Sequence, residues 1–186
     1  HASFEIDTPQ GVRAITDYNG LNGFGRKPDI VTMNNAHSTH YTDTPEDGIT
    51  YVLRGWPSEA GETEARHDVS LKDLKVTNLP TNARDWGGGS ARINGNSIFT
   101  FTIGDLCIAH LGHLHHRLTR DHLDELGRID RSLFHLVVEI FLVGYVQCAH
   151  DIRRCIYPQY PVRMTRQSVD DVPDDDATEV ALRGMA

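Results

Sequence analysis

Leu106-Cys-Ile-Ala-His110-Leu-Gly-His113-Leu-His115-His116 is the stretch on which the fold turns. An apolar run reaches a glycine, and four of the chain's eleven histidines fall within residues 110–116. Read as a strand, Leu106–Leu111 turns His110 to one face and Ala109 and Leu111 to the other. Gly112 then permits a tight turn that presents His113, His115 and His116. For His110 and His115 a structural role, packed or solvated, competes evenly with a ligand role. It competes less well for His113 and His116. Imidazole is the commonest protein ligand for zinc and related ions.

Working outward, Asp29-Ile-Val-Thr-Met33 is a second short strand. It runs into a second pair, His37-Ser-Thr-His40. A three-residue separation lets two imidazoles converge on one ion, although H-x-x-H alone is a weak signal. Its alternative is two exposed histidines in a Ser/Thr-rich loop. Two clusters, each just past a strand, imply one metal site built from two loops. Asp17 ends an earlier strand and opens a Gly/Asn-rich loop. It is either an acceptor that orients a metal-bound imidazole or a turn-capping residue. Asp85, beside Trp86 and Gly87–Gly89, either lines a pocket mouth or is an ordinary loop acid.

The remaining punctuation is that of a β-rich chain. Ser3–Ile6 and Val12–Thr16 flank the turn Thr8-Pro9-Gln10-Gly11, and Ser97–Ile103 and Leu106–Leu111 flank Gly104-Asp105. Tyr51–Trp56, Ala65–Leu71 and Leu74–Leu79 continue the strand pattern, and Asn82–Asn96 reads as a loop. Thr119 caps a predicted helix over Arg120–Leu126 that Gly127 ends. Leu133–Val146 fits a buried helix or a strand and turn equally well. The expected organisation is one domain over residues 1–167, followed by an acidic, disordered tail over 168–186.

The 186 residues suffice for one sizeable core, and the net charge of −8 argues against a nucleic-acid surface. Three cysteines, with no C-x-x-C pair, argue against a disulfide framework. The longest apolar stretch is interrupted by His135 and Glu139, which argues against a membrane span. No signal peptide is visible, and the strand-like opening suggests a lost upstream segment. The expected compartment is therefore cytoplasmic or periplasmic, and a homo-oligomer is compatible with this composition.

The order of these pieces resembles the metallo-β-lactamase superfamily, in particular the small hydrolases that include ascorbate-6-phosphate lactonase. His1-Ala-Ser-Phe-Glu-Ile is similar to that branch's first strand, and Gly11-Val-Arg-Ala-Ile-Thr-Asp17 to its second, ending in the usual Asp. Asn35 to His40 lies where the family carries H-x-H-x-D-H. Asn96-Ser-Ile-Phe and Leu106 to His113 resemble the strand pair that ends at the family's Gly-Asp metal position. The likeness covers about residues 1–130. It implies an α/β fold, an αββα four-layer sandwich.

The pattern also departs from the family's. Asn35 stands for the first His, Thr39 for the Asp, and His113 for the bridging Asp. Leu79-Pro-Thr-Asn-Ala-Arg84 has no middle ligand, and Tyr160-Pro-Val-Arg-Met164-Thr has no final histidine. The resemblance implies a metal-dependent hydrolase of a small ester, lactone or phosphoester. His37, His40, His113 and His116 would hold one transition-metal ion, zinc first, with nickel or copper also suited. Asp17 or Asp85 would orient a ligand or relay a proton. The alternative is a catalytically silent binding or assembly module, or a metal-binding protein.

Overall fold

The computed structural model describes residues 3–21, 26–58, 62–84, 91–133 and 163–166. The alternating segments form two five-stranded sheets. The first contains β1 (Phe4–Asp7), β2 (Arg13–Ile15), β3 (Ile30–Met33), β4 (Tyr51–Arg54) and β10 (Arg163–Arg166), in the order β10-β1-β2-β3-β4. The second contains β5 (Asp68–Leu71), β6 (Leu74–Arg84), β7 (Ala91–Ile103), β8 (Leu106–His110) and β9 (Arg131–Leu133), in chain order. Pairing is antiparallel except at β2–β3, β3–β4 and β8–β9.

The period-2 pattern decides which residues lie between the sheets. Ile6, Ala14, Ile30 and Leu53 from the first sheet form one buried cluster with Leu74, Val76, Phe99, Phe101, Ile103 and Ile108 from the second. Full burial of a side chain such as Phe101 is worth about 1.5–3 kcal/mol. The alternate residues face outward. Ile98, Ala109 and Leu111 pack with Leu118, Leu126 and Ile129, under the single described helix, α1 (Arg120–Leu126). Ile15, Val31 and Met33 are covered by Tyr18, Tyr41, Ile49 and Trp56. The expected two-sheet α/β sandwich is thus present. Among the described residues a helix layer is seen only over the second sheet.

Local signals hold closely at the turns. Thr8 donates its backbone N–H to the Val12 carbonyl (2.9 Å), closing the first hairpin. Gly104, with φ of 57°, turns the second. Thr119 and Gly127 cap α1 as predicted, with a reciprocal capping box to His122.

The stretch Asn82–Asn96 departs from expectation, because strands extend into it from both sides, to Arg84 and from Ala91. Pro80 is tolerated inside β6 because β5 pairing stops at Thr77, leaving β7 as the described ladder neighbour at that position. The register shifts between Thr81 and Ala83, a bulge next to the site. Leu133 closes β9; the rest of Leu133–Val146, the 168–186 tail and Asp85 lie outside the described residues. No described helix is long and apolar enough to cross a membrane.

Candidate metal centre

The two histidine stretches meet at one end of the sandwich. β3 ends at Met33, and the loop that follows folds back on itself: His40 donates its N–H to the His37 carbonyl (2.8 Å), and Asn34 donates to the His40 carbonyl (3.2 Å). That closure brings the two rings together, with centroids 4.3 Å apart. From the second sheet, β8 ends at His110 and Gly112 turns with φ of 58°. His113 is thereby placed 5.3 Å from His37 and 5.1 Å from His40, ring to ring. One ligand nitrogen from each of His37, His40 and His113 lies within 4.8 Å of the others. This separation suits three donors around one small cation.

Asp17 stands behind this trio. It is fully buried and takes the left-handed conformation (φ of 44°) just past β2, a geometry Asp tolerates better than most residues. Its Oδ2 is 2.5 Å from His40 Nδ1, and its Oδ1 accepts from Asn34 Nδ2 (3.0 Å). Burial pushes the Asp17 carboxyl up, but the facing His40 and His110 rings and the two hydrogen bonds outweigh it and hold it below the ordinary range. Burial likewise disfavours a charged His40, yet the Asp17 carboxylate raises its pKa overall. The carboxylate takes up Nδ1 and so leaves Nε2 as the nitrogen that would meet a cation, an arrangement that raises ligand basicity. Thr39 Oγ1 is 2.7 Å from His37 Nδ1 and orients that ring in the same way. His113 is pushed down to about 4 by burial and by the neighbouring His40 and His37. At neutral pH it is therefore uncharged, as a ligand must be.

Three of the four histidines expected as ligands thus come together, and Asp17 lies behind them against His40. His116 does not join them. Its Nε2 accepts from the Asn82 amide (3.2 Å), and its Nδ1 donates to the Arg117 carbonyl (3.0 Å). His110 is fully buried on the inner face, with Nε2 3.7 Å from Asp17 Oδ2. Of the replaced motif positions, Asn35 accepts from Arg92 through its carbonyl (2.8 Å), while Thr39 bonds His37. Sequence reasoning missed Asn34 and Asn96, both fully buried beside the site.

No curated protein matches this chain. Among solved structures, a protein of Thermotoga maritima assigned as a Zn-dependent hydrolase of the metallo-β-lactamase superfamily is 22% identical, with a TM-score of 0.43. That match covers 71% of this chain and 56% of the other, so the chain spans little more than half of that protein. A family model described as the beta-lactamase superfamily domain matches residues 1–164. With nearly its whole length matched, and with the two-sheet sandwich to go with it, the chain belongs to the metallo-β-lactamase superfamily.

Proposed function

We propose that the chain is a zinc-dependent hydrolase of a small ester, lactone or phosphoester. The observation that carries this reading is the convergence of His37, His40 and His113 in front of a buried carboxylate. Three imidazoles with no carboxylate among the converging donors suit zinc, or nickel or copper, better than magnesium or calcium. A zinc ion bound there supplies Lewis acidity toward a carbonyl or phosphoryl oxygen and a water of lowered pKa. His37, His40 and His113 would hold it. Asp17 keeps the proton of His40 on Nδ1, and Thr39 limits rotation of His37. The fit is supported by the donor set itself, three imidazole nitrogens within 4.8 Å of one another.

A second reading, metal binding without turnover, is favoured by one observation. Asn35 and Thr39 replace a histidine and a carboxylate of the superfamily motif, so the site is poorer in charge. Elemental analysis of tag-free protein and turnover on a lactone, ester and phosphodiester panel separate the two. The hydrolase reading expects bound zinc and turnover that a chelator abolishes and zinc restores. Turnover surviving complete metal removal would sink it. A filled site with no turnover on any substrate would leave the second reading standing.

A further inference from the structure

Between the two histidine loops lies a pair of fully buried amides. Asn34, just past β3, accepts from the Ser97 backbone N–H on β7 through Oδ1 (2.7 Å) and donates to Asp17 through Nδ2. Asn96, on β7, accepts from the His113 backbone N–H through Oδ1 (2.7 Å). Its Nδ2 donates to Thr81 Oγ1 on β6 (2.7 Å) and to the Leu111 carbonyl (3.2 Å). Each side chain therefore uses both its oxygen and its nitrogen. A buried amide whose oxygen and nitrogen are both bonded favours one arrangement, because flipping it would break both bonds.

Gly112 closes the pair. A Cβ at that position would stand 2.2 Å from Asn34 Nδ2 and 2.5 Å from Asn96 Oδ1. The turn that delivers His113 is thus packed directly on the amide that holds Asp17, and through Asp17 on His40. Gly55 makes the same close approach from β4's end, where a Cβ would lie 2.6 Å from Asn34 Oδ1.

We propose that Asn34 and Asn96, closed by Gly112, are positioning residues that set the spacing between His113 and the His37/His40 loop. They thereby set the affinity and coordination geometry of the bound ion. This rests on the reading of the three histidines as a metal site. Asn96 reaches His113 through its backbone, so removing the amide displaces the ring without removing a ligand.

Cobalt(II), titrated into the full chain and read by its visible d–d absorption, tests this, since the bands report coordination geometry. Wild type should bind cobalt and His40→Ala should not. Asn96→Ala should bind about ten-fold or more weakly, as for other groups that orient ligands, with altered bands. Thr81→Val keeps the Asn96 oxygen but removes one of its anchors, and should show a smaller loss in the same direction. Phe101→Leu, in the core between the sheets, should leave cobalt affinity and bands unchanged. Wild-type affinity and bands in both Asn96→Ala and Thr81→Val would overturn the proposal, as would an equal change in Phe101→Leu. If Asn96→Ala does not fold, Thr81→Val decides alone. Absence of cobalt binding by wild type would overturn the metal reading, and this inference with it, before any variant is made.

Discussion

Among the described residues, two groups of three histidines stand out, and they are built to opposite ends. His37, His40 and His113 converge with Asp17 behind them. His115, His116 and His122 also approach one another, with ring centroids 5.7 and 6.1 Å apart in succession. In the second group, nitrogens of His116 and His122 serve the backbone. His116 bonds the backbone through both of its own, and His122 Nδ1 accepts from the Thr119 N–H (3.2 Å) that opens α1. What separates a site from a support is the commitment of each ring nitrogen, not the density of rings.

The largest effect expected from this contrast is on metal affinity. His40→Ala removes a proposed ligand and one of the groups that face the buried Asp17, so zinc affinity should fall by more than about 100-fold, beyond the usual loss for an orienting residue. Competition against a chromophoric chelator measures it. Affinity within a few-fold of wild type would erase the distinction between the two groups.

Zinc should also stabilise the fold through the first group alone. At free zinc about one hundred times the Kd, binding adds about 2.7 kcal/mol to the free energy of unfolding. The denaturation midpoint of wild type should rise accordingly, and that of His40→Ala should not. A rise that persists in His40→Ala would place the ion elsewhere.

Much of this was legible in the sequence, because the deciding signals are local. The hairpin turns at Gly11 and Gly104, the caps at Thr119 and Gly127, and the strand-to-loop placement of His37, His40 and His113 all follow from period and turn chemistry. So does Asp17, at a strand end before a glycine-rich loop. Asn34 and Asn96 were not legible, since asparagine in a sequence signals a turn and nothing local says that its amide will be buried between sheets. The extension of β6 past Pro80 was hidden for a similar reason: at Pro80 only the β7 ladder continues, since pairing with β5 stops at Thr77, and the sequence does not show which edges of a strand are paired. The position of His116 apart from the trio was not legible either, because histidine density carries no information on where each nitrogen donates.

A smaller effect separates support from ligation on α1. Thr119 Oγ1 accepts from the His122 N–H (3.2 Å), so Thr119→Ala removes the cap and should cost about 1 kcal/mol of stability. Zinc affinity should stay at the wild-type value, because the capping box lies outside the converging trio. A joint fall in stability and affinity would couple the helix to the site.

The smallest effect belongs to His116, and its smallness is the sharpest test of the comparison. His116→Ala deletes an acceptor for the Asn82 amide at the β6 bulge and a donor to the Arg117 carbonyl. The Arg117 side is exposed, and the amide is only partly buried, so water can replace much of what is lost. Stability should drop by no more than about 1 kcal/mol, the net worth of an ordinary hydrogen bond. Zinc affinity should not move at all, since both nitrogens already serve the backbone and neither faces the trio. Isothermal titration of His116→Ala beside His40→Ala gives the comparison in one experiment. If the two variants lose zinc equally, His116 must turn from Asn82 toward the ion when it binds, and the two groups are then one site.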